Sequence, residues 1–377
     1  MIRILIVDDS PTARLLLRML FELDSGLVVV GEARSGREAL TRCVELQPDI
    51  VTMDINMPGM DGYEAIRLIM SESPRPIVVL TAAGGAYPAG GAVPSADGAA
   101  PSTNTDTLFD ISFKAIELGA LSVLEKPTLH DRPGSGNNAE TLINEIKTMA
   151  GVKVVSRPLW LQKRAGGAPP RSTAPMLLRE RPAIIGIGVS TGGPPALQTI
   201  LAGLTTAPAS GGGTVNAPIV IVQHMSRGFI AGLASWLAQT TRIPCQVVED
   251  GQILLAGAAY LAPDDRHLVI RRGGIAALDN GGAVDGHRPS VTALFESLAL
   301  SYGPRAVGVQ LTGMGQDGAR GLLAMRNAGA YTIAQDESSS VVYGMPKVAV
   351  EMGAAMETLP IELIAERLMI LTQILRC

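Results

Sequence analysis

Cysteine is scarce in this chain and does not pair. Three cysteines stand among 377 residues, Cys43, Cys245 and Cys377, far apart, odd in number and without a C-x-x-C spacing. A disulfide framework is excluded, and with no secretory leader in the opening residues a reducing cytoplasm is the expected compartment. Aromatic residues make up only 3%, too few for a base-stacking surface, so the cores are expected to be aliphatic. Positive charge is not in excess either: a net charge of −4 and an isoelectric point near 5.7 argue against nucleic acid as a partner. The chain also lacks any uninterrupted apolar run of about eighteen residues, the length a membrane span needs. Its opening run meets acid at Asp8, and the apolar segment 361–375 carries Glu362, Glu366 and Arg367 at helical spacing. No membrane insertion is expected.

What is present divides in two. A length of 377 residues is long for one domain and suits two, and 47% hydrophobic against 18% charged residues is a globular composition. Residues 1–150 alternate short apolar runs, at 2–7, 28–31, 50–54, 77–81 and 121–125, with segments of helical period. That is the pattern of a doubly wound five-stranded parallel sheet. Ser10 before Pro11 reads as an N-cap and first helical position. The stretch 84–107, rich in Gly, Ala, Pro, Ser and Thr, interrupts the pattern as a flexible insertion. Residues 151–181, with Gly-Gly and Pro-Pro pairs, read as an interdomain linker. From 182 to 377 the alternation resumes, which predicts a second, mostly parallel α/β sheet. Its strands are expected at 183–188, 218–223, 259–262, 267–270, 306–312 and 331–335, with an antiparallel excursion near 260–277.

Ligands of an open parallel sheet bind beyond the carboxyl ends of its strands. In the first half those ends are polar: Asp8-Asp9 after the first run, Asp54 closing the third, Thr81 closing the fourth, and Lys126-Pro127 after the fifth. Three clustered carboxylates repel one another unless a hard cation sits among them, and an all-oxygen set suits Mg²⁺. Asp54 can then attack a phosphoryl donor, with Thr81 hydrogen-bonding a phosphoryl oxygen and Lys126 supplying a point charge. The segments Val7-Asp8-Asp9-Ser10, Met53-Asp54-Ile-Asn56-Met-Pro58, Leu80-Thr81-Ala82 and Lys126-Pro127 resemble the receiver domains of two-component response regulators. The resemblance implies the doubly wound strand order, phosphotransfer from a histidine kinase to Asp54, Mg²⁺ held by Asp8, Asp9, Asp54 and the backbone carbonyl of Asn56, and a cis peptide before Pro127. The insertion at 84–107 departs from that family's short loop after Thr81.

In the second half, Gly188-Val-Ser190-Thr191-Gly192 reads G-x-S-x-G between an apolar strand and a proline-started helix, a turn that presents a nucleophilic serine with backbone N–H groups toward a developing oxyanion. A serine hydroxyl needs a base, and the chain has four histidines. His224 closes an apolar strand on the sheet edge expected to hold Ser190 and is favoured, followed by His287. His267 also stands near that edge, and His130 lies in the first half. The orienting acid is expected to be Asp317, in the strand-to-helix run Leu311-Thr-Gly-Met314-Gly-Gln-Asp317, with Asp264, Asp265 and Asp285 as rivals. A nucleotide- or partner-binding output without catalysis is the competing reading, but a G-x-G-x-x-G loop would need glycine at Thr191.

The order Ser190, His224, Asp317 is not that of α/β-hydrolases. Residues 183–377 resemble instead the catalytic domain of chemotaxis protein-glutamate methylesterases. The resemblance rests on Ile187-Gly-Val-Ser190-Thr191, Val222-Gln-His224-Met225, Arg288-Pro289-Ser290-Val291, the Met314–Asp317 run and Tyr343-Gly344-Met345-Pro346. It implies Ser190 as nucleophile, His224 as base and Asp317 as orienting acid, with Thr191, Met314, His287 and Arg288 around the oxyanion and substrate. It also implies no cofactor for the esterase reaction, methyl-accepting chemotaxis receptors as substrates, receptor glutamine deamidation as a second activity, and a receiver that blocks the active site until Asp54 is phosphorylated. Position 292 is Thr where that family often carries Asp.

Overall fold

The structure, a computed structural model, describes residues 1–81, 113–128, 138–152, 154, 181–206 and 215–373. The expected insertion at 84–107, nearly all of 151–181, His130 and Cys377 lie outside these residues. The chain separates into two compact units, Met1–Gly167 and Ala168–Cys377.

The first unit is a five-stranded sheet of β1 (Ile2–Val7), β2 (Leu27–Ala33), β3 (Ile50–Asp54), β4 (Ile77–Thr81) and β5 (Ser122–Glu125). The order is β2-β1-β3-β4-β5 with every pairing parallel. Helices α1 (Pro11–Glu22), α2 (Gly36–Leu46), α3 (Gly62–Glu72), α4 (113–118) and α5 (Asn138–Met149) connect or follow these strands. The strands read as unbroken apolar runs because both faces are covered. Ile4 and Ile6 of β1 pack with Leu17, Phe21 and Ile146 on one side, whereas Leu5 and Val7 pack with Ala39, Ile66 and Ile69 on the other. Ser10 caps α1 as expected, its hydroxyl accepting from Ala13 N at 3.3 Å.

The second unit holds a seven-stranded sheet of β6 (Ile184–Val189), β7 (Ile219–Gln223), β8 (Cys245–Val247), β9 (Ala259–Leu261), β12 (Ala306–Gln310), β13 (Tyr331–Gln335) and β14 (Glu357–Leu359). Their order is β14-β13-β12-β6-β7-β9-β8 and all pairings are parallel. The antiparallel excursion is a separate two-stranded hairpin of β10 (His267–Arg271) and β11 (Ile275–Asp279), outside the main sheet. Helices α6 (Gly193–Thr206), α7 (Ile230–Thr241), α8 (Val291–Tyr302), α9 (Ala319–Asn327), α10 (Met345–Glu351) and α11 (Ile361–Gln373) cover the sheet. On one face Leu294, Phe295 and Leu298 of α8 and Leu322 and Met325 of α9 pack with Ile184, Val220 and Val222. Strand β6 is the first of this sheet, and the chain builds β7 on one side of it and β12 on the other. Its carboxyl end is therefore the topological switch point where such sheets bind ligands. Among the described residues no helix is long and apolar enough to cross a membrane.

Candidate active site

Strands β12, β6 and β7 are consecutive neighbours, and each delivers one chemical group at its carboxyl end. β6 ends at Val189, and Ser190 follows with its N–H donated to Thr312 O at 3.0 Å. The chain reverses at once: Gly193 N–H returns to Ser190 O at 2.9 Å and α6 begins. Gly192 sits at φ +76° with Val341 where a side chain would project, so the turn requires glycine. β7 ends at Gln223, and His224 extends the ladder by donating its N–H to Val189 O at 3.0 Å. After β12, the segment 311–318 carries Asp317 back beneath the imidazole, whose Nε2 lies 2.9 Å from Asp317 Oδ2. That contact is short but poorly aligned as a hydrogen bond, and Nδ1, on the other edge of the ring, is buried without a partner. Loose alignment of this kind is common before substrate binds.

Asp317 is only 1% exposed, and its carboxylate is the anchor of this site. Oδ1 accepts from Ser290 Oγ at 2.8 Å and Thr292 N at 2.9 Å, and Oδ2 accepts from Val291 N at 2.8 Å. Those N–H groups belong to the buried first turn of α8, where no intrahelical acceptor is available and a helix favours negative charge. Burial pushes the carboxyl upward, but His224 and the Thr292 and Val291 N–H groups outweigh it and hold Asp317 far below the usual carboxylate range. Thr292, at the position where Asp was the family expectation, donates its hydroxyl to Asp285 at 3.0 Å and accepts from Gly318 N at 2.8 Å.

His287 stacks on His224, with ring centroids 4.0 Å apart and planes 7° from parallel. It is presented by a two-residue turn in which Val284 and His287 exchange backbone hydrogen bonds at 3.0 Å, with Asp285 and Gly286 at positive φ. Burial and the neighbouring His224 lower its pKa below the ordinary 6.5. An open cleft is lined by His224, His287, Arg227, Arg288, Asp264 and Asp265 among others. His267 does not line it. That ring is 2% exposed, with Nε2 2.9 Å from Gly282 O and Nδ1 accepting from Ser290 N at 3.2 Å, so both nitrogens hold structure. The rival acids are also engaged elsewhere: Asp264 accepts from Gly228 N, Asp265 pairs with Arg227, and Asp285 holds Thr292. Thr191 accepts at its carbonyl from Thr312 Oγ1 at 2.9 Å, and Met314, 44% exposed, follows Gly313, whose N–H and carbonyl are tied to Val342 and Met345.

In the first unit, Asp8, Asp9 and Asp54 each present a carboxylate oxygen within 4.8 Å of the others. Lys126 Nζ bridges two of them, 2.7 Å from Asp8 Oδ2 and 2.9 Å from Asp54 Oδ2. Arg14 Nη1 fixes the loop by donating to the carbonyls of Asp8 and Asp9, at 2.7 and 3.2 Å. Burial raises the Asp54 pKa and Asp8 adds to the rise, while Lys126 opposes it. Burial works against the Lys126 charge, but its two carboxylates prevail and raise its pKa. Thr81 is buried, its hydroxyl donating to Leu124 O at 3.4 Å, and Asn56 is exposed beside Asp54. A set of three carboxylates fits a hard divalent cation. The cis peptide expected before Pro127 is not found; Arg288–Pro289 has that geometry instead.

The chain matches the family model for CheB methylesterase over residues 185–368 and that for the response regulator receiver domain over residues 4–93. It is 44% identical over 368 residues to protein-glutamate methylesterase/protein-glutamine glutaminase 4 of Myxococcus xanthus, covering 97% of this chain and 96% of that one. It is 42% identical over 368 residues to protein-glutamate methylesterase/protein-glutamine glutaminase 1 of Syntrophus aciditrophicus, covering 97% of each. Among solved structures, the Thermotoga maritima CheB methylesterase catalytic domain is 36% identical, with 50% of this chain and 98% of that chain covered and a TM-score of 0.46.

Proposed function

The chain belongs to the protein-glutamate methylesterase/protein-glutamine glutaminase family, and from that premise we propose that it is a phosphorylation-activated serine esterase of the cytoplasm. Its substrates are the γ-glutamyl methyl esters of methyl-accepting chemotaxis receptors, and it deamidates receptor glutamines by the same chemistry. The observation that carries this reading is the delivery of Ser190, His224 and Asp317 from three adjacent strand ends, with Asp317 in contact with the imidazole.

With Nε2 turned to Asp317, Nδ1 is the nitrogen that takes the Ser190 proton as Oγ bonds to the ester carbon. The backbone around Thr191 and Met314 holds the oxyanion. Collapse breaks the bond to methoxide, which leaves as methanol with the proton from His224. Water then attacks the acyl-enzyme, again through His224, restoring Ser190 and a free glutamate. With a glutamine substrate the leaving group is ammonia. Asp317, fixed as an anion, stabilises the imidazolium formed in each step. His287 and Arg288 border the space where the receptor side chain enters.

In the receiver, Asp54 accepts a phosphoryl group from a histidine kinase, with Thr81 and Lys126 contacting the new phosphoryl oxygens. Asp8, Asp9, Asp54 and the Asn56 carbonyl would hold Mg²⁺, which neutralises charge on the group in transfer. Phosphorylation then relieves restraint on the esterase. The test is Ser190→Ala in the full chain: methanol release from methylated receptor membranes should be abolished while Asp54 still takes up phosphate. An unchanged rate of methanol release would remove Ser190 from the mechanism.

A further inference from the structure

Gln223, the last residue of β7, is 4% exposed, and its carboxamide does something no strand pairing requires. Nε2 donates to Ser190 O at 2.8 Å and to His224 O at 2.7 Å. Both N–H bonds of the amide are thus spent on the backbone carbonyls of the proposed nucleophile and base. The orientation is forced, because turning the amide over would set its oxygen against two other oxygens. The remaining Oε1 is buried with no hydrogen-bond partner, which is unfavourable for a desolvated acceptor. Gly193 faces it, and a Cβ there would lie 1.8 Å from Oε1, so the glycine gives the carboxamide its space. A buried amide kept with an unsatisfied acceptor calls for a compensating role.

That role follows from the planarity of the peptide group. The Ser190 carbonyl belongs to the same amide as the Thr191 N–H, and in a trans peptide the two point in opposite directions. Two donors seize this carbonyl, Gln223 Nε2 and Gly193 N at 2.9 Å. Holding the oxygen fixes where the Thr191 N–H aims, and donation to the oxygen polarises the amide so that its N–H becomes a stronger donor. We propose that Gln223 is a positioning residue for the oxyanion: by gripping the Ser190 carbonyl it aims and strengthens the Thr191 N–H, while its second bond keeps His224 in register with Ser190. This rests on the serine-esterase reading above.

The test uses the full chain with Gln223→Met, which keeps the length of the side chain and removes both donors. Removing one oxyanion donor outright lowers kcat by about 10²–10³-fold; loosening its aim should lower kcat for methanol release from methylated receptor membranes by about 10–100-fold. KM should stay within about twofold, because the developing anion exists only in the transition state. Phenylboronic acid, which forms a tetrahedral anionic adduct on a serine oxygen, should lose affinity by a factor similar to the loss in kcat. Gly193→Ala, which displaces the carboxamide without altering Gln223, should move kcat and boronate affinity in the same direction, and it stands in if Gln223→Met does not fold. A folded Gln223→Met with kcat within threefold of the parent overturns the proposal. So does a loss of kcat with unchanged boronate affinity, which would be the mark of a merely structural residue. Ser190→Ala measured alongside separates the two ideas: if it still releases methanol the esterase site itself is wrong, whereas if it is dead and Gln223→Met is fully active only the role of Gln223 fails.

Discussion

Asp54 and Asp317 both stand at the carboxyl edge of a parallel sheet, both buried, and their surroundings drive them in opposite directions. Around Asp54, three carboxylates cluster and one ammonium, Lys126, bridges only Asp8 and Asp54, and the Asp54 pKa is raised. Around Asp317, a hydroxyl, two helix N–H groups and an imidazole converge on one carboxylate, and its pKa falls far below normal. The sheet edge supplies the place in each case, and the count of donors decides the chemistry. A carboxylate short of donors still has lone pairs for a cation or a phosphoryl group, whereas one surrounded by donors can only hold its charge and orient its neighbour.

The largest effects come from removing each charge in turn. Asp317→Asn should lower methanol release by about 10⁴-fold, the scale seen when the acid of a triad becomes an amide. Its new NH₂ also faces either the Val291 N–H or the Thr292 N–H, according to which oxygen it replaces, which should cost stability of about 2 kcal/mol or more. Retention of a tenth of the activity would mean that Asp317 is no more than a helix anchor. Asp54→Asn should abolish stimulation by a small phosphodonor, and a variant still stimulated would move the switch elsewhere.

Next in size is the response to pH and cation, where the two acids should differ in sign. Asp54 has a folded pKa raised above 3.8, so its charge destabilises the receiver above that range. Asp54→Asn should therefore raise receiver stability at neutral pH, with the gain fading as pH falls toward and below 3.8. Asp317 has a folded pKa depressed below 3.8, so its stabilisation is present above that value and is lost as pH falls through it toward the folded value. Thermal unfolding of the two variants across acid pH, each against the parent, reads both signs. Calorimetry should show Mg²⁺ binding that weakens on acidification through the raised Asp54 range and is lost in Asp9→Asn. Parallel slopes for the two variants, or undiminished binding in Asp9→Asn, would erase the contrast.

Much of this contrast was legible in the sequence. Buried parallel strands read as unbroken apolar runs, so a polar residue closing each run marks the binding edge, and Asp8, Asp54, Thr81, Ser190 and His224 all stand out for that reason. Two short strands did not: β8, Cys-Gln-Val, and β14, Glu-Thr-Leu, hold no apolar run, unlike the equally short β9. Nor could the histidines be ranked by more than position, since His267 and His287 both sit near the edge and only packing shows one locked into backbone and the other stacked on His224. Asp317 was readable as an acid in a glycine turn, but its grip on the helix starting 26 positions earlier depends on β12 lying beside β6. Gln223 was missed altogether. Its signal was a polar side chain ending an apolar run, and what that side chain reaches is decided by the neighbouring strand.

The smallest effect separates an ordinary cap from one tied to the site. Ser10 and Ser290 play the same part for α1 and α8, each hydroxyl accepting an N–H three residues on at 3.3 Å. Replacing such a cap with alanine costs about 1 kcal/mol, so Ser10→Ala and Ser290→Ala would be equal if capping were all they did. Ser290 Oγ also donates to Asp317 Oδ1 at 2.8 Å, and a hydrogen bond to a charged group adds about 1.5–3 kcal/mol. Ser290→Ala should therefore be the more destabilising in denaturant unfolding, by at least about 1 kcal/mol. It should reduce kcat only severalfold, because the Val291 and Thr292 N–H groups still hold the carboxylate. Equal losses for the two serines would show that the backbone alone fixes Asp317, and that its surplus of donors is smaller than the geometry indicates.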